Sequence, residues 1–300
     1  MLYRKLGKTN LHVSVIGVGT WQFGGEWGTD FSHEQADAVL GAAREYGINL
    51  IDTAECYGDH LSEQLIGRAV MRDRTKWILA TKFGHRFRGY LDREQRWSPP
   101  EVQRQLEDSL RSLRTDYIDL YQFHSGDNGV FDNDELWTML NRQKRAGKIR
   151  HLGISISNSY DDVLEHQSAR ASAVGAEVLQ IYYNRLDRRP EKDIFDRCRR
   201  LDLGVLARVP LASGFLSGKY RKGDLFSERD VRSSKTPEQI ETILGEVDWI
   251  RDKEVPAGID MSRWALAWCL RDPVVTAVIP GCRNPDQMRS NASAAELVRI

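Results

Sequence analysis

The sequence predicts an α/β fold: a (β/α)8 TIM barrel of eight parallel strands with helices outside. Eight short apolar runs bounded by Gly, Asp or polar turns alternate with amphipathic stretches that carry helix start signals. Four polar side chains also stand at or just past the ends of these runs, where a parallel barrel gathers its strand C-termini at one mouth. They are Asp52 and Tyr57 in NLIDTAECYG, Lys82 in ILATKFG and His124 in LYQFHSG.

The elements follow in order. Tyr3–Leu6 and Leu11–Ser14, around Gly7-Lys8-Thr9-Asn10, form a short N-terminal β-hairpin able to plug the barrel floor. The barrel strands are Val15–Thr20, Asn49–Asp52, Trp77–Lys82, Tyr117–Phe123, His151–Ser155, Val178–Tyr182, Gly204–Arg208 and Thr276–Ile279. Ser32-His33-Glu34-Gln35 has capping-box form ahead of Ala36, Val39, Leu40 and Ala43. Ser98-Pro99-Pro100-Glu101 repeats it with Pro at the first helical position, and Asn284-Pro285-Asp286-Gln287 is a third start signal. Extra helix and loops precede the last strand. The polar stretch Ser213–Lys235 reads as a lid or binding loop, followed by helices over Pro237–Ile250 and Met261–Leu270 with a turn at Val255-Pro256-Ala257-Gly258. Gly17-Val18-Gly19-Thr20 opens no Rossmann fingerprint, because the third glycine position is Gln22.

Composition narrows the function classes. The 300 residues suit one barrel, so residues 1–300 read as a single domain. Zero formal net charge points to no nucleic-acid partner and leaves the oligomeric state open. Cys56, Cys198, Cys269 and Cys282 are widely spaced, which indicates neither a disulfide framework nor a zinc site. No run spans a membrane and the N-terminus lacks the apolar segment of a signal peptide, so the expectation is cytoplasmic.

The four polar residues make a proton-donating site. A free tyrosine, with a pKa of about 10, is a poor acid at neutral pH. Lys82 would lower that pKa by favouring the phenolate, and Asp52 would hold Lys82 charged and in place. His124 would hydrogen-bond a carbonyl oxygen and aim it at the Tyr57 hydroxyl. Trp21, Trp27, Phe83 and Tyr90, with loops Gln22–Phe31 and Ser125–Phe131, would wall the substrate space. Trp264 and Trp268 are helix-packing residues.

The order Asp52-x4-Tyr57-Gly58, then Lys82, then His124, resembles the aldo-keto reductases, of the branch that includes bacterial reductases and potassium-channel β subunits. The likeness runs from RKLGKTNLHVSVIGVGTW to VIPGCRNPDQMRSN. It implies NADP(H)-dependent reduction of a small aldehyde or ketone, with NAD(H) as the second option and no metal. Trp21, Tyr57 and His124 would face the substrate. The implied cofactor contacts are Gly19, Thr20, Trp21 and Asp52, then Ser155, Asn158 and Gln180 at the carboxamide. Arg208, Pro210, Leu211, Ser213, Gly214, Leu216 and Lys219 follow along the pyrophosphate loop, and Gly281, Arg283, Gln287 and Asn291 at the adenosine end. Arg208 replaces the family's aromatic stacking residue, and Arg283 is the candidate reader of a 2′-phosphate. Two other readings use the same residues: a sugar or polyol dehydrogenase working oxidatively, and a non-catalytic nucleotide-sensing partner subunit.

Overall fold

The computed structural model describes residues 1–27, 30–157, 161–224, 226 and 230–298. Strands β1 (Tyr3–Lys5) and β2 (His12–Ser14) pair antiparallel ahead of the barrel. Then come β3 (Val18–Gly19), helix α1 (His33–Glu45), β4 (Leu50–Asp52), α2 (Leu61–Val70) and β5 (Ile78–Phe83). A second antiparallel pair, β6 (His85–Gly89) and β7 (Asp92–Gln95), precedes α3 (Pro99–Ser112) and β8 (Ile118–His124). The chain continues through α4 (Asn128–Phe131), α5 (Asp134–Arg145), β9 (Ile149–Ser155), α6 (Asp161–Arg170), β10 (Ala176–Tyr182), α7 (Ile194–Leu201) and β11 (Gly204–Arg208). It ends with α8 (Pro237–Lys253), α9 (Met261–Cys269), β12 (Ala277–Val278) and α10 (Pro285–Ser293).

All eight barrel strands foreseen from the apolar runs are present, in the order β12-β11-β10-β9-β8-β5-β4-β3, each pair parallel. The ends meet through bridges Ile16–Val278 and Gly19–Gly281, and the Gly17 N–H donates to Val278 O at 2.8 Å. These contacts close the ring. Gly19 has to be glycine, since a Cβ there would stand 2.5 Å from Ile279 O.

The hairpin plugs the floor as expected. Leu6 and Val13 pack against the inward residues Leu50, Ala80, Leu120, Val178, Leu206 and Ala277. At Gly204 a Cβ would lie 2.6 Å from Leu6 Cδ1, so the plug needs the missing side chain. Helices cover the outside through a larger core, while α8, α9 and the turn at Ala212–Ser217 form a separate apolar cluster beside the mouth.

Local details add to the sequence reading. Ser32 and Gln35 form the capping box, and Asn284 caps α10 by accepting the Gln287 N–H. Ser98 instead donates its hydroxyl to Glu101 Oε2 at 2.6 Å and accepts no cap bond. The β6–β7 hairpin was not foreseen. Its residues alternate charged and half-buried side chains without an apolar face, so periodicity gives no strand signal there.

Candidate active site

Two residues along five of the barrel strands, the inner layer changes from apolar to polar. Leu50, Ala80, Leu120, Val178 and Leu206 belong to the barrel interior. Alternation then turns Asp52, Lys82, Gln122, Gln180 and Arg208 inward, one layer nearer the mouth. Here Lys82 Nζ meets Asp52 Oδ1 at 2.7 Å and also donates to Thr53 O at 2.7 Å. Asp52 Oδ2 accepts from Gln180 Nε2 at 2.6 Å and Gln122 Nε2 at 3.1 Å. The ion pair is almost wholly buried and fully hydrogen-bonded, the condition under which such a pair is tolerated. Burial acts against the Lys82 charge, yet Asp52 and Tyr57 carry its pKa above the ordinary lysine value.

Tyr57 sits in the β4–α2 loop with Lys82 Nζ 5.1 Å from its ring centre. The expected net lowering of its pKa does not occur. Burial pushes the hydroxyl up to about 12, and Lys82 only moderates that rise. His124 ends β8 with its ring 6.3 Å from Tyr57 and nearly perpendicular, at 82°. Burial first, then His85, Lys82, Arg208 and Arg93, hold its imidazole well below the usual pKa, so it is neutral. His85 Nε2 lies 2.6 Å from the His124 carbonyl, which can only accept.

Trp21 stacks on Tyr57 at 6.2 Å and donates Nε1–H to Glu26 Oε2 at 2.8 Å. Glu26 is buried and also pairs with Arg93 of β7, which ties the unforeseen hairpin to the substrate wall. Glu55 is likewise buried, accepts the His85 backbone N–H at 2.9 Å, and is pushed up to about 7, chiefly by burial. Gln122, Glu55, Glu26, Arg93 and His85 escaped sequence reasoning. The signal that could have found Gln122 and Glu55 is a polar residue inside an otherwise apolar strand or two positions before the candidate tyrosine.

One cavity of about 540 Å³ joins these groups, within the range of small-molecule sites. Asp52, Tyr57 and His124 line it, while Lys82 lies beneath. Gly19, Thr20, Trp21, Ser155, Gln180, Arg208, Pro210, Leu211, Ser213, Gly214, Lys219, Gly281, Arg283, Gln287 and Asn291, positions expected to contact a cofactor, line it too. Asn158 lies outside the described residues. Ser155 Oγ donates to Gln180 Oε1 at 3.2 Å, so both belong to the Asp52 network. Arg208 donates to Ile156 O at 3.0 Å, and Arg283 to Trp27 O at 3.1 Å.

Several expected wall positions are corrected. Phe83 is fully buried among Trp97, Tyr121 and Phe123, Tyr90 is exposed, and nothing from Ser125–Phe131 lines the cavity. Leu216 does not line it either. Its side chain joins the α8 cluster and its N–H, like that of Gly214, turns to Leu211 O. Arg232, buried against Asp230 and Tyr220, lines the cavity instead.

A long polar ligand fits this cavity. Gln22 Oε1, Trp27 Nε1, Arg208 Nε and Asn291 Nδ2 are buried on its lining without a partner among the described residues. Each such atom costs about 1–3 kcal/mol unless something bonds it. Their spread from the Tyr57 end to α10 suits a dinucleotide better than a compact metabolite.

Comparison with known proteins agrees. The family model described as Aldo/keto reductase family matches residues 15–300. The holo-form structure of the aldo-keto reductase AKR11C1 from Bacillus halodurans is 31% identical, with a TM-score of 0.82 over 99% of this chain and 91% of that one. The glycerol dehydrogenase AKR11B4 from Gluconobacter oxydans is 29% identical, with a TM-score of 0.82 over 95% and 87%. The NADH-specific methylglyoxal reductase of Escherichia coli (strain K12) is 29% identical over 97% of this chain and 93% of its own. Matched from the first barrel strand to the last residue, the chain belongs to the aldo/keto reductase family of oxidoreductases.

Proposed function

We propose that this chain, folded as one domain, reversibly reduces small aldehydes or ketones with NADPH, and that Tyr57 is the proton donor. The observation that carries the reading is the setting of the Tyr57 ring: Lys82 Nζ of the buried Lys82–Asp52 pair 5.1 Å from its centre, a neutral His124 nearly perpendicular to it, in the cavity that runs to Arg283. A nicotinamide dinucleotide, when bound, supplies or accepts the hydride. Ser155 and Gln180 would hold its carboxamide, with Arg208 beside the ring. Ser213, Lys219 and Arg232 would face its phosphates, and Arg283, Gln287 and Asn291 its adenosine end.

The chain's own residues do the rest. A neutral His124 donates a hydrogen bond to the carbonyl oxygen and fixes its direction. Tyr57 passes its proton to that oxygen as negative charge develops there, and Lys82 stabilises the phenolate left behind. Trp21 covers the substrate side. Run backwards, the same groups oxidise an alcohol, a direction favoured by the likeness to a glycerol dehydrogenase.

NADPH is preferred on the strength of Arg283 at the far end of the cavity, although one relative is named NADH-specific. The test follows absorbance of NADPH and of NADH with methylglyoxal, simple aldehydes and glycerol. Turnover should favour NADPH, and Arg283→Ala should cost about 1.5–3 kcal/mol in NADPH binding and far less in NADH binding. No turnover with any carbonyl or polyol would contradict the reading, and equal losses for both cofactors would remove Arg283 from the 2′ position.

A further inference from the structure

Beside the proton donor, a carboxylate, a thiol and an imidazole converge on one corner of the cavity. Cys56 Sγ lies 3.9 Å from His124 Nδ1, and Glu55 Oε2 lies 4.0 Å from the same nitrogen. All three atoms fall within 4.8 Å of one another. Glu55 is 3% exposed; its Oε1 accepts the His85 N–H, but Oε2 is buried toward the other two groups with no partner. Cys56 and His124 both line the cavity, so the corner is open on one side.

We propose that Glu55, Cys56 and His124 form a binding site for zinc(II). Sulfur, nitrogen and oxygen donors in this combination suit a cation of intermediate softness, and three protein ligands with one open position is a common zinc arrangement. Bonds of about 2.0–2.3 Å put tetrahedral ligands roughly 3.3–3.8 Å apart, so side-chain shifts of less than about 1 Å complete the site. The backbone need not move. Glu55 and Cys56 are adjacent in the β4–α2 loop, and His85 holds both Glu55 and the His124 carbonyl.

Binding replaces the Cys56 thiol proton, which leaves to solvent, and no redox change occurs. Lys82, Arg93 and Arg208 nearby oppose an incoming dication, so the expected affinity is micromolar rather than that of a structural zinc. Drawing His124 toward Cys56 also moves it from the carbonyl it orients. Zinc therefore inhibits reduction, a consequence that rests on the function proposed above, whereas the site itself does not.

The experiment titrates metal-free protein with zinc against a chromophoric chelator, then with cobalt(II) as a spectroscopic substitute. One zinc per chain is expected. Cys56→Ala and Glu55→Gln should each weaken it by more than about 10-fold, and cobalt should give a thiolate charge-transfer band that Cys56→Ala abolishes. No binding to the wild type, or binding unchanged in both variants, overturns the site. Chelator-reversible inhibition, measured against each variant's own metal-free rate, should be weakened in both. Zinc bound at the three residues with reduction untouched would leave the site standing and overturn the role of His124.

Discussion

Two opposed influences act on the Tyr57 hydroxyl: removal from water and the Lys82 ammonium. Removal wins, and the pKa of about 12 means the phenol persists throughout the neutral range. With Tyr57 as the proposed proton donor, reduction uses the phenol, the form present below that pKa, so its rate should show no Tyr57-dependent fall between about pH 6 and about pH 10. Alcohol oxidation needs the phenolate and should rise with pH over the same interval. Steady-state rates in both directions check this, and a fall in reduction centred well below pH 10 would contradict it. That Asp52, Tyr57, Lys82 and His124 gather at the mouth was legible because each ends a readable run or closely follows one. The sign of the net shift was not, because a sequence shows that Lys82 is near but not how completely the loop excludes water.

The β4–α2 loop that carries Tyr57 is held by a short internal network. His60 precedes α2 with a left-handed backbone, and its Nδ1 lies 2.5 Å from the buried Glu63, whose other oxygen accepts from Thr81 at 2.6 Å. Burial lowers the His60 pKa, but its bond to Glu63 outweighs this and leaves the pKa raised. A raised folded pKa gives stability that is fully present below the unfolded value, about 6.5, and is lost as pH rises through the folded one. His60→Gln should thus cost about 1.5–3 kcal/mol in mildly acidic buffer and less at alkaline pH. Urea unfolding at the two pH values measures the difference, and a loss independent of pH would show that the charge contributes nothing. Barrel strands were readable because most of their residues are buried on both faces and the runs are mainly apolar. The β6–β7 hairpin was unreadable because it is fastened by Glu26–Arg93 and other polar contacts rather than by an apolar face.

At the scale of the molecule, the barrel separates stability from chemistry along its axis. Leu6 sits against Gly204 at the start of β11, and Arg208 faces the cavity at its end. Four residue steps between them make about 13 Å. Leu6→Ala should therefore destabilise the fold by about 2–5 kcal/mol and leave carbonyl reduction close to wild type at low denaturant. An activity loss larger than the unfolded fraction would contradict that separation. The barrel and its plug were legible from alternation and glycine placement. The inner detail of the Ser213–Lys235 stretch, read as a lid or binding loop, was not: its Ser and Gly pattern resembled any turn, and packing against the α8 and α9 cluster decides that Leu216 turns inward while Arg232 reaches the cavity.

The role proposed for the barrel mouth is to hand one proton from Tyr57 to a carbonyl oxygen. Single-turnover hydride transfer in Tyr57→Phe, alongside NADPH binding by fluorescence titration, tests it most directly. The rate should fall by about 10²–10⁴, while the Kd for NADPH changes by no more than about threefold, less than 1 kcal/mol. Hydride transfer at the wild-type rate in Tyr57→Phe would remove Tyr57 from the proton donor's role.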